Sequence, residues 1–124
     1  MAETRVAKLS MIEEGIVQVI IDYKKNLTIV DAREIVSAAM KLSGGEKSAI
    51  LMKSLNYRLP VREVRGFPAG AEATKLILAL AFIAGDSVAR IAANFFLKLN
   101  KPSYPFGVFT RDNEAIQWLR GYIN

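Results

Sequence analysis

The stretch AGDS holds the only Asp-Ser pair in the chain, Asp86-Ser87, where an apolar run gives way to a helical pattern. Backbone N–H groups at such a turn can hold an anion, and ligands of open α/β sheets bind where strands end. Ser87 could also accept a phosphoryl group. The plainer use of the pair is as a helix cap, since both side chains accept hydrogen bonds from free N–H groups. Arg58, Arg62 and Arg65 are a second candidate. Their i, i+4, i+7 spacing would place three guanidinium groups on one helix face, a pattern that can bind phosphate or nucleic acid. No aromatic residues interleave to stack on bases, and Glu63 offers a local counter-charge, so a solvated face is the simpler reading and no nucleic-acid partner is expected. Phe67, Phe82, Phe106 and Trp118 could line an apolar pocket, or serve only as core aromatics.

Composition narrows the chemistry further. The chain has 124 residues and neither His nor Cys. Thiolate catalysis, disulfides, Cys- or His-ligated metals and a Ser-His-Asp hydrolase are therefore excluded. An oxygen-ligated hard cation would need clustered acids, and these are scattered, so no metal or cofactor is expected. No paired carboxylates or activated lysine stand out, so an enzyme is not expected. Hydrophobic residues make up 52%, enough for one sizeable core in one domain over residues 1–124. A net charge of +5 permits an anionic partner without demanding one. The N-terminal stretch lacks an apolar signal-peptide core. The longest apolar run, Leu76 to Ala84, is far short of the roughly 20 residues of a membrane-spanning helix. A cytoplasmic protein is the expectation.

The elements that would position these residues read as strands alternating with helices. Arg5–Ile12 and Ile16–Tyr23, parted by Glu13-Glu14-Gly15, predict an antiparallel hairpin. In its second strand Val17, Val19 and Ile21 alternate with Gln18, Ile20 and Asp22. Thr28 and Asp31 form an Asp variant of the capping box, with Leu27 and Ala32 at the staple positions. The stripe Ala32, Ile35, Val36, Ala39, Leu42 then has helical spacing, and Gly44-Gly45 supplies the stop. Ser48–Met52 reads as a buried strand. Pro60 can open a short helix. Lys75–Ala84 is apolar on nearly every residue, which suits a central strand covered on both faces. A second long helix covers about Asp86 to Leu99, blocked by Pro102 and Pro105. Phe106–Thr110 reads as the last strand. Thr110 is the expected cap of a final helix whose buried stripe is Ala115, Trp118, Leu119 and Tyr122. The order ββαβαβαβα implies an α/β fold with parallel pairing, right-handed crossovers and one antiparallel hairpin strand.

On the helix of residues 86–101, Val88, Ile91, Ala92, Phe95 and Leu99 form one apolar stripe, which Phe96, Ala89 and Ala93 extend. The apolar arc is roughly 200°, wider than the ~100° that docking on a sheet requires. Either the helix is wedged between the sheet and a neighbour, or Ala89, Ala93, Phe96 and Leu97 meet a second subunit or partner, with Tyr104 in a rigid shoulder beside them.

The C-terminal stretch ANFFLKLNKPSYPFGVFTRDNEAIQWL resembles the signature of uncharacterised bacterial proteins with the SpoIIAA-like, or STAS, fold. The matching residues are Asn94-Phe95-Phe96, Lys101-Pro102, Tyr104-Pro105, Phe109, Glu114-Ala115 and Trp118-Leu119. They cover the last third of the chain, and the element order fits nearly all of it. The resemblance implies a mixed β-sheet with helices packed on it and a bacterial source, without an activity. Better-known antagonists of this fold carry an Asp-Ser-Ser-type phosphorylation site at a helix N-terminus after a central strand. The corresponding region here, MKSLNYRLPVREVRGF, departs from that pattern: it offers Ser54 and Tyr57 and no Asp-Ser pair. The expected function is a non-enzymatic regulatory, protein-interaction module acting as a homodimer with an unidentified protein partner. The alternative is a small apolar-ligand or lipid carrier, which the family's association with lipid-transfer domains implies.

Overall fold

The computed structural model describes residues 2–22, 28–54, 77–83 and 104–123. Six strands form one mixed sheet in sequential order: β1 (Ala2–Glu3), β2 (Ala7–Glu13), β3 (Ile16–Ile21), β4 (Ser48–Ser54), β5 (Ile77–Ile83) and β6 (Phe106–Phe109). The pairs β1–β2 and β2–β3 are antiparallel, and β3–β4, β4–β5 and β5–β6 are parallel. Helix α1 (Ile29–Leu42) packs on β1, β2 and β3. Helix α2 (Asp112–Arg120) packs on β4, β5 and β6. The helices expected after Pro60 and over Asp86–Leu99 lie outside the described residues.

Helix α1 forms where local signals place it. The Thr28 hydroxyl accepts from the Asp31 amide at 3.2 Å, and the Asp31 carboxylate accepts from the Thr28 amide at 2.9 Å. Two otherwise free donors are thereby satisfied reciprocally. At the other end the Gly45 N–H reaches the Met40 carbonyl at 2.9 Å and the Gly44 N–H reaches that of Lys41 at 3.3 Å. This double closure needs left-handed backbone, and Gly44 and Gly45 adopt φ of 72° and 89° without a Cβ to resist it. Ile35 and Ala39 of the predicted stripe are buried, with Ala32, Val36 and Leu42 half-buried at its margins.

Two cores lie on opposite faces of the sheet. Strand alternation sends Val17, Val19, Ile21, Ile50, Leu80 and Phe82 to the α1 side. Ile16, Ala49, Leu51, Ala79 and Ala81 go to the α2 side, beneath Ala115 and Leu119. Between β4 and β5 the register skips one residue, pairing Ser48 with Ile77 and Ala49 with Ala79. Leu78 is the extra residue, and this bulge returns Ile77 to the α1 side with Leu80 and Phe82. Burial of both faces of β5 agrees with its nearly unbroken apolar sequence.

Two local expectations shift. A two-residue strand, β1, precedes the hairpin, because Ala2 and Glu3 pair with Leu9 and Lys8. The N-cap of α2 is Arg111 rather than Thr110: the first helical bond runs from the Ala115 N–H to the Arg111 carbonyl, and no side chain caps the end. Asp112 and Glu114 in the first turn still face the positive end of the helix dipole.

Candidate functional site

The α2 side of the sheet is packed mostly on small residues, with Ile16 and Leu51 the large buried ones among them. Cross-strand partners place Leu51, Ala81 and Gly107 in line across β4, β5 and β6. With Ala49 and Ala79 they form a shallow bed on which α2 lies close to the backbone. Gly107 is needed there. A Cβ at that position would stand 2.7 Å from the Phe109 ring and 3.4 Å from the Trp118 ring. Phe109 and Trp118 pack tilted with centroids 5.3 Å apart, and Trp118 meets Tyr122 edge-on at 5.1 Å. Such tilted and edge-to-face geometries are favoured for aromatic pairs. The column climbs from the edge strand β6 to Tyr122, which is 42% exposed. Gly107→Val is expected to displace the Phe109 ring and cost about 1–3 kcal/mol. Trp118 is the chain's single tryptophan, so a red-shifted tryptophan emission together with a lower Tm would report the loss directly.

Ion pairs fix both ends of α2. The Lys53 ammonium donates to the Asp112 carboxylate, joining the carboxyl end of β4 to the first turn of the helix. At the opposite end the Arg120 guanidinium donates twice to Glu13, at 2.9 Å and 2.9 Å. This fork holds the Glu13 carboxyl below its usual range and ties α2 to the β2–β3 hairpin. On the α1 side, Arg5 donates twice to Asp31, at 2.9 Å and 2.8 Å. Burial pushes the Asp31 carboxyl up, but the Thr28 amide, the Arg5 guanidinium and the Thr28 hydroxyl outweigh it and hold the group below its usual range. These charges fasten helices to the sheet. Among the described residues no group of three or more acidic side chains is placed to hold a metal.

Tyr104 is only 7% exposed and belongs to the α1-side core. Its ring packs inward with the chain's own apolar residues, whereas Pro102 and Pro105 around it suggest a rigid shoulder beside a contact face. Its hydroxyl is buried without a hydrogen-bond partner among the described residues, and burial pushes its pKa up. An unpartnered buried hydroxyl costs about 1–3 kcal/mol. Tyr104→Phe is accordingly expected to raise the Tm, and a thermal melt that falls instead would reveal a partner for the hydroxyl.

The remaining sequence candidates are distributed differently. Phe82 and Phe106 pack on the α1 side while Trp118 packs on the α2 side, so these three rings cannot line one pocket. The sheet separates them because Phe82 and Phe106 point to the α1 side, while Trp118 belongs to α2, which covers the opposite face. Phe67 lies outside the described residues, as do Ala89, Ala93, Phe96 and Leu97, the pair Asp86 and Ser87, and Arg58, Arg62 and Arg65. Sequence reasoning grouped Trp118 and Tyr122 in a buried stripe of the last helix, but Tyr122 lies exposed beyond that helix, and the column the two form with Phe109 was missed. Its signal was the i, i+4 spacing of Trp118 and Tyr122 beside a strand carrying Gly107.

Residues 10–123 match the family described as Domain of unknown function (DUF7793). The chain belongs to this family. A solved structure described as an uncharacterised protein of the DUF3478 family with a SpoIIAA-like fold, from Shewanella loihica PV-4, is similar to it. That likeness has a TM-score of 0.56 at 14% identity, over 96% of this chain and 98% of that one. The fold is thus SpoIIAA-like, in agreement with the resemblance carried by the C-terminal stretch. A protein of unknown function from Arthrobacter sp. FB24 is 24% identical over 91% of this chain and 98% of its own, and its TM-score of 0.32 lends no weight to the fold. Among curated proteins, none matches this chain with significance. Among the described residues, no helix is long and apolar enough to cross a membrane.

Proposed function

We propose that this chain is a non-enzymatic protein-interaction module that acts in bacterial regulation as a homodimer. The observation that carries the reading is the contrast around α2. Its charged ends are engaged in pairs with Lys53 and Glu13 of the same chain. Its aromatic column instead rises from Phe109 on the edge strand β6 to an exposed Tyr122. Aromatic side chains with one packed and one open flank are what interfaces use as anchors. The same logic assigns the surplus apolar face Ala89, Ala93, Phe96 and Leu97, on sequence grounds, to the contact between two copies.

Phe96→Asp tests the assignment. Sedimentation velocity should show the mass falling to that of a monomer while far-UV circular dichroism is unchanged. Ala93→Asp, on the same face, guards against a purely local packing fault. If both variants unfold, the face is core and the homodimer reading loses its main support.

A further inference from the structure

We draw no further inference here: the strongest candidate, the buried Tyr104 hydroxyl in the α1-side core just before β6, is a single side chain within a core already described, and no second observation points to a ligand beside it.

Discussion

Leu51→Ala is expected to destabilise the fold by about 3 kcal/mol, within the range found for emptying a fully buried leucine site. Leu51 is 0% exposed at the middle of β4, with β3 and β5 hydrogen-bonded on either side and the α2-side core above it. Its fully buried neighbours in that core include four alanines, Ala49, Ala79, Ala81 and Ala115, whose short side chains cannot swing in to fill the space, beside the larger Ile16 and Leu119. Part of the cavity should therefore persist while the larger neighbours relax towards it. Set against a typical domain stability of about 5–15 kcal/mol, the loss is severe. Denaturant titration should show a lowered midpoint with an unchanged slope. Leu51→Met keeps the volume and should cost less than about 1.5 kcal/mol. Equal costs for the two variants would mean that shape, not cavity formation, governs the site.

Asp31→Ala should be nearly as damaging, at about 2–4 kcal/mol, for a different reason. One carboxylate, 2% exposed, closes the capping box of α1 and receives the Arg5 fork from the segment between β1 and β2. Removing it frees the Thr28 amide and withdraws the anchor that joins α1 to the sheet margin. Acid should reproduce part of this effect. The folded-state pKa of Asp31 is depressed, so its contribution is fully present above the unfolded value of about 3.9 and is lost as pH falls through the folded value. The wild-type Tm should therefore decline below about pH 4 more steeply than that of Asp31→Ala. Parallel declines would show that other carboxylates carry the acid sensitivity.

The parts of the fold that were legible in sequence are those decided by neighbouring residues. Thr28, Asp31 and Gly44-Gly45 bound α1 because a cap is a local bargain between a side chain and N–H or carbonyl groups a few residues away. The alternation of Val17, Val19 and Ile21 gave the buried face of β3 for the same reason. What escaped depends on distant partners. The strand β1 exists only because Ala2 and Glu3 meet β2. The bulge at Leu78 is a property of the β4–β5 register, and no local pattern marks it. The Glu13–Arg120 fork joins groups 107 residues apart. Four aromatic residues looked like one potential pocket, but the strands send Phe82 and Phe106 to one face of the sheet while Trp118 sits on the helix covering the other. Tyr104 was hard to place for a related reason: Pro102 and Pro105 suggest a rigid shoulder, while its ring packs into the core. The column of Phe109, Trp118 and Tyr122 combines a strand residue, a helical one and one from the turn after the helix, so neither periodicity alone displays it.

Native mass spectrometry of the untagged protein at low micromolar concentration tests the central claim most directly. The account predicts a dimer of the 13.7 kDa chain with no additional mass. A monomer would contradict it, and a monomer carrying non-protein mass would transfer the case to an apolar-ligand carrier.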